Sequence, residues 1–179
     1  MKTIAIKVFA LYNKFSGANW SKKPYKWSEN PQDFSGEIFV MMIGKNDHNI
    51  DEKGRLFIPS KYREELGDRF VIAKGLDYCL NLYSLSEWKI FEAKILALPR
   101  SKSKGLQQYF FNSAESIKID SQGRFVIPQN LKEFAKLKKS VKITGSSDHL
   151  EIWDNESWEA EDNKWNPENI SLLMEELNI

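Results

Sequence analysis

Two arginines in this chain stand four residues after an aspartate and directly after a glycine, in Asp51-Glu52-Lys53-Gly54-Arg55 and Asp120-Ser121-Gln122-Gly123-Arg124. At that spacing the aspartate can cap the backbone amides of a tight turn, while glycine takes the left-handed conformation that a β-carbon penalises. The arginine then has two uses. It can pair with the aspartate and fix the turn, or its planar fork can hold a phosphate or a guanine edge through two hydrogen bonds. Other chemistry is poorly supported. The single cysteine, Cys79, excludes an intramolecular disulfide and sits between Tyr78 and Leu80, where it reads as a small buried hydrophobe. His48 and His149 lie 101 positions apart and make no metal spacing with it. No nucleophile stands beside a base, and Gly54 and Gly123 are single turn glycines rather than a phosphate loop. The residues thus point away from an enzyme and imply no cofactor and no metal.

The two turns belong to a longer repeat. Ile50 to Pro59 recurs as Ile119 to Pro128 at an offset of 69, with six of ten positions identical. After one inserted residue the match resumes at an offset of 70, pairing Gly75 with Gly145, Leu80 with Leu150, Leu82 with Ile152, Tyr83 with Trp153 and Trp88 with Trp158. Two copies fall short of a solenoid and suggest a pair that packs on itself with pseudo-two-fold symmetry.

Each copy predicts the same elements. Lys45 to Ile50 and Leu56 to Ile58 flank the first turn as short strands, which gives a hairpin. Pro59 and Pro128 open helices, with Tyr62/Leu66 and Leu131/Ala135 on the buried side, and Gly67 ends the first. A second strand pair follows, Phe70–Ala73 with Leu80–Tyr83 and Val141–Thr144 with Leu150–Trp153, so the unit reads β-β-α-β-β. Ser84 and Asp154 then cap helices. Trp88, Phe91, Ile95 and Leu98 have helical spacing up to Pro99; a basic link, Arg100 to Gly105, follows. Leu106 to Ser113 forms a further helical turn or two, with Tyr109, Phe110 and Phe111 as core.

The formal net charge of +1 conceals a strong division. Residues 1–40 carry six Lys/Arg against three Asp/Glu, residues 41–149 nineteen against thirteen, and residues 150–179 one against nine. The middle segment can therefore attract phosphates although the whole is near neutral. No uncharged apolar run approaches the length of a membrane span, and Met1 to Leu11, interrupted by Lys2 and Lys7, lacks a cleavage site, so the cytoplasm is the expected location.

Asp-x-x-Gly-Arg followed by an apolar triplet ending in Ile-Pro resembles the SpoVT-AbrB signature. Two copies, joined by a segment containing Ala97-Leu98-Pro99 and Phe110-Phe111, resemble the MraZ family, as do Gly75-Leu76-Asp77-Tyr78-Cys79-Leu80 and Glu151-Ile152-Trp153. The resemblance runs from about Met41 to Trp158. One departure is Gln108, before Tyr109, where similar sequences carry a basic residue.

The resemblance implies an α+β, mainly β fold: a tandem, pseudo-two-fold, swapped-hairpin AbrB-like β-barrel with short helices, whose halves complete each other and which assembles into a ring-shaped homo-oligomer. It divides the chain into an N-terminal extension (1–40), a first SpoVT-AbrB domain (45–91), a helical linker (92–115), a second domain (116–159) and an acidic tail (160–179). The extension is either a disordered basic arm or a mis-assigned start, with translation beginning at Met41. The tail is expected to be loose or a marginal helix. The implied function is sequence-specific transcriptional regulation through double-stranded promoter DNA, at repeats upstream of the family's own division and cell-wall operon, in the cytoplasm and at the nucleoid. The alternative is an AbrB-like antitoxin or protein-interaction module. The expected DNA contacts are Lys53, Arg55, Arg63, Arg124 and Lys132, with His48 and Lys118 as further candidates; Asp51, Gly54, Asp120 and Gly123 build the turns. Because Lys53 is matched by the uncharged Gln122, Lys53, Arg55 and Arg63 are expected to form the stronger half.

Overall fold

In the computed structural model residues 42–179 are described, so the extension 1–40 lies outside the described residues. The described chain is α+β, with the order β1 (Lys45–Asn49), β2 (Arg55–Phe57), α1 (Ser60–Leu66), β3 (Arg69–Lys74), β4 (Leu80–Ser84), α2 (Leu85–Leu96), α3 (Arg100–Phe110), β5 (Glu115–Lys118), β6 (Arg124–Val126), α4 (Gln129–Phe134), β7 (Ser140–Gly145), β8 (Leu150–Asp154), α5 (Asn155–Asp162) and α6 (Pro167–Leu177). Single 3-10 turns follow α3 and α5.

The strands on either side of each Asp-Gly turn do not form the hairpin that the sequence suggests. β1 pairs instead with β7 of the second copy, Lys45 opposite Thr144 and Asn49 opposite Ser140. β5 reciprocates by pairing with β3, Lys118 opposite Arg69, and β2 pairs with β6. The three residues of β2 could satisfy only part of β1, whereas β7 offers partners to all five. The result is an open antiparallel sheet in the order β1-β7-β8-β4-β3-β5, beside a separate β2-β6 ribbon. Among the described strands the pairing does not close into a barrel.

The strand registers also correct the repeat. Lys74 lies opposite Leu80 and Gly145 opposite Leu150, so the counterpart of Gly145 is Lys74 and not Gly75. Between the helix-opening proline and the end of β7 the second copy is two residues longer than the first, and the β7–β8 turn is one residue shorter than the β3–β4 turn. Gly145 is small for a reason of its own: a β-carbon there would strike the backbone of Met42 and Ile43, where Met42 bridges Ser147.

The core lies between the sheet, the β2-β6 ribbon and the two short helices. Leu56, Ile58, Leu66, Phe70, Ile72, Leu82, Leu131, Ile143 and Ile152 are fully buried, and Phe70 meets Phe125 edge-on at 5.1 Å. Each such side chain contributes roughly 1.5–3 kcal/mol of burial. Tyr62 and Leu66 on α1, and Leu131 with Ala135 on and just after α4, point inward as their spacing requires. Ser84 and Asp154 cap α2 and α5 by accepting from the amides of Glu87 and Glu156.

Two expectations about the helices need correction. The basic segment after Pro99 is the first turn of α3, because the Pro99 carbonyl accepts from the amides of Lys102 and Ser103 and opens a helix. Of the three adjacent aromatics only Phe110 is core, set edge-on against Phe91; Tyr109 instead donates its hydroxyl to the Gly75 carbonyl at 2.8 Å. The acidic tail is helical as α6, with Asn166 capping the Asn169 amide, and every residue of α6 is exposed.

Candidate nucleic-acid interface

The two Asp-Gly turns have the same construction. Asp51 Oδ1 accepts from the amides of Lys53 and Arg55, both at 2.9 Å, and Asp120 Oδ1 accepts from Gln122 and Arg124 at the same distance. Gly54 and Gly123 take φ of 73° and 78°, which other residues adopt only under strain. Each glycine carbonyl then accepts from the opposite copy, Gly123 from the amide of Ile58 and Gly54 from that of Ile127. The turns are thereby locked to each other across the pseudo-two-fold.

The arginines occupy the second carboxylate oxygen. Arg55 reaches Asp51 Oδ2 through Nε and Nη2, both at 2.7 Å, and Arg124 reaches Asp120 Oδ2 at 2.9 and 2.8 Å. These contacts use two of the five guanidinium N–H groups and leave three on each arginine. The ion-pair role is therefore present in the structure, and it does not exhaust the donors. Both aspartates titrate below the usual carboxylate range, first because the backbone amide of the following arginine favours the ionised form and then through its side chain.

Antiparallel pairing decides where these groups face. Arg55 stands opposite Val126, and Phe57 opposite Arg124. Leu56 and Phe125 point inward, so the alternation of a strand turns Arg55, Phe57, Arg124 and Val126 to the outer side of the ribbon. The two arginines lie on a diagonal, a spacing of roughly 7–8 Å between backbones.

The helices return a basic residue to this face, but each to the other copy's turn. The Arg63 guanidinium lies over the Phe57 ring at 4.9 Å and against Gly123, where a β-carbon would come within 2.7 Å of its Nη1. Arg63, Lys118, Arg124 and Arg55 border a cleft of about 930 Å³ with Asp120 and Val126. Lys132 borders a second cleft, of about 610 Å³, with Asp51, Glu52, Lys138 and Lys139. Of the predicted set Lys53, Arg55 and Arg63, Arg55 and Arg63 share the first cleft with Arg124, Arg63 lying against the second copy's turn at Gly123, while Lys132 borders the first copy's turn at Asp51 and Glu52. Among the described residues neither Arg63, Lys118, Lys53 nor Lys132 is in an ion pair. His48 packs its ring against Phe57, and burial pulls its pKa below the ordinary value.

Two contributors escape the sequence. Arg69 lies directly opposite Lys118 and adds charge beside the first cleft; only the β3–β5 pairing reveals it. Val126 is an apolar residue left 56% exposed on an outward, arginine-bearing face, which the apolar character of its triplet does not reveal.

The remaining polar chemistry is of another kind. Cys79 is buried and its thiol is pushed up to about 12, mainly by burial. His149 stacks on Tyr83 at 4.8 Å, with Asp148 at 2.6 Å. Burial opposes its protonation, but hydrogen bonds to Glu151 and Asp148 outweigh that and raise its pKa. Among the described residues no group of three His, Cys, Asp or Glu could hold a metal ion, and no described helix is long and apolar enough to cross a membrane.

Known proteins share this doubled construction. The family model described as "MraZ protein, putative antitoxin-like" matches residues 41–105 and again 110–172. The chain is 48% identical to the Transcriptional regulator MraZ of Thermoanaerobacter pseudethanolicus over 143 residues, which is 78% of this chain and 100% of that protein. It is 46% and 43% identical to the proteins of the same name from Caldicellulosiruptor saccharolyticus and Alkaliphilus metalliredigens, with the same coverage. With both copies of the turn inside the matched segments and the relatives covered from end to end, the chain belongs to the MraZ family.

Proposed function

We propose that this protein is a sequence-specific DNA-binding transcriptional regulator that acts on repeats upstream of its own division and cell-wall operon, in the cytoplasm and at the nucleoid. The observation that carries this reading is the β2-β6 ribbon, whose outer side holds Arg55 and Arg124 with free N–H donors and is flanked by Arg63 and Lys118. A two-stranded ribbon fits the major groove of B-form DNA, where an arginine fork matches the N7 and O6 of guanine. Lys53 and Lys132 serve as phosphate contacts. The names of the relatives, which are transcriptional regulators, agree with this role.

The exchange of β1 and β5 between the halves supports a swapped-hairpin, AbrB-like architecture, and a ring-shaped homo-oligomer would repeat the ribbon along successive operator repeats. The same reading takes 45–91 and 116–159 as the two SpoVT-AbrB domains, 92–115 as linker and 160–179 as tail. Gel-shift titration of the full chain on its own upstream DNA over a salt series is the test. Specific binding that weakens steeply with salt, and is lost in folded Arg55→Ala, is the expected outcome. Absence of specific binding by the wild type at low salt refutes the reading.

One observation favours the antitoxin-like alternative. α6 carries Ile170, Leu173, Met174 and Leu177 along one helical stripe, all exposed, on an acidic tail. A chain that binds no DNA but retains a protein through residues 160–179 would establish that role instead.

A further inference from the structure

The two copies differ at one outward position of the ribbon. Phe57 and Val126 are counterparts at the repeat offset of 69, and both face the arginine-bearing side. Phe57 is roofed: the Arg63 guanidinium lies over its ring, and His48 packs beside it at 5.8 Å. The counterparts of these roofing groups are Lys132 and Ile117. Lys132 borders the other cleft, and Ile117 packs against the core. Val126 therefore stays open, directly opposite Arg55 and two residues from Arg124. An isolated exposed valine needs no explanation in general. This one stands among cations on a face whose other apolar residue is covered.

We infer that Val126 is a specificity-determining residue, whose methyl groups read the 5-methyl of a thymine in the major groove beside the base pair that Arg55 faces. Among the four bases only thymine presents an apolar group in that groove, and a branched aliphatic side chain between hydrogen-bond donors is the complement to it. Arginine supplies attraction to phosphate and guanine but cannot tell thymine from cytosine by shape alone; a methyl-to-methyl contact can. Phe57, beneath Arg63, cannot make the same contact, so the two halves of the ribbon read different bases. The inference rests on the DNA-binding reading above and concerns the same face.

The experiment starts from duplexes that the full-length protein selects from a random pool. Each thymine in the recovered site is replaced in turn by deoxyuridine, which removes only the 5-methyl. For the wild type, one position in the site should lose about three- to fivefold in affinity, the worth of one buried methyl. Val126→Ser should bind the thymine and uracil duplexes equally, at the level of the wild type on uracil, while Val126→Ile keeps the discrimination. Circular dichroism of each variant verifies the fold. If selection recovers no duplex, the DNA-binding reading fails and the inference with it. If a site is recovered but no thymine responds to uracil, or Val126→Ser still discriminates, Val126 is not the reader and the DNA-binding reading stands.

Discussion

Replacing each turn glycine by alanine separates two effects that the structure superimposes at only one of them. Gly54 and Gly123 both hold positive φ, so either substitution costs roughly 1–2 kcal/mol of backbone strain. Beyond that they differ. A β-carbon at Gly54 meets nothing within 4 Å, whereas at Gly123 it lies 2.7–3.0 Å from Nη1, Cζ and Nε of Arg63. The guanidinium is the far end of a flexible side chain and can swing aside, but it then leaves the Phe57 ring and forfeits about 0.5–1 kcal/mol of cation–π attraction. Gly54→Ala should therefore cost about 1–2 kcal/mol and Gly123→Ala about 1.5–3 kcal/mol. For a chain of this size the melting temperature falls by roughly 2–4 °C per kcal/mol. Urea unfolding followed by tryptophan fluorescence gives both values. The same pair in an Arg63→Ala background completes a double-mutant cycle in which the excess at Gly123 should vanish. Equal costs for the two alanines, with no coupling to Arg63, would show that Arg63 does not cross to the second turn, and the regrouping of the basic residues would fall with it.

Three further outcomes follow from the same geometry. Asp51 and Asp120 have folded pKa values below 3.8, so their contribution is complete above about pH 3.8 and is lost as pH falls through the folded values. The double variant Asp51→Asn/Asp120→Asn should show a flatter acid limb in a plot of stability against pH. His149 has the opposite sign: its folded pKa lies above 6.5, so its stabilisation is complete below that pH and fades as pH rises through the folded value. An imidazole resonance titrating above 6.5 in the wild type, and a His149→Gln variant more destabilised at pH 6 than at pH 9, would check it. Leu82→Ala should cost about 2–5 kcal/mol, because the side chain is fully buried between β3 and β8; a loss below 1 kcal/mol in chemical denaturation would contradict that packing.

The sequence carried the elements well and their partners poorly. Turn chemistry at Asp51 and Asp120, prolines before α1 and α4, and the spacing of Tyr62 and Leu66 are local signals, and each appears in the structure where expected. Strand exchange is not local. The alternation of β1 says which side chains face inward but not whether β2 or β7 supplies the hydrogen bonds. The placement of Arg63 is not local either: its neighbours in sequence are in the first copy, while in space it lies both over Phe57 of that copy and against the second turn at Gly123. Gly75 and Gly145 align by residue type but not in register, because an insertion before β7 and a deletion after it nearly cancel. The Asp–Arg ion pairs were legible as one of two possibilities, and the geometry shows how one guanidinium serves the turn and keeps donors to spare.

The exchange of β1 for β5 also sets a timetable for synthesis. β1 leaves the ribosome early, yet its partner β7 begins about 90 residues later. At roughly 5–20 residues per second, the first strand waits on the order of 5–20 s with its backbone groups open and Leu56 without its cover from the second copy. During that interval a neighbouring nascent chain can offer the same edge. Charges along the waiting strand and beside it, Lys45, Asp47 and Lys53, oppose such pairing. The order in which the copies are translated thus opens the first strand to partnership between two chains before partnership within one is possible.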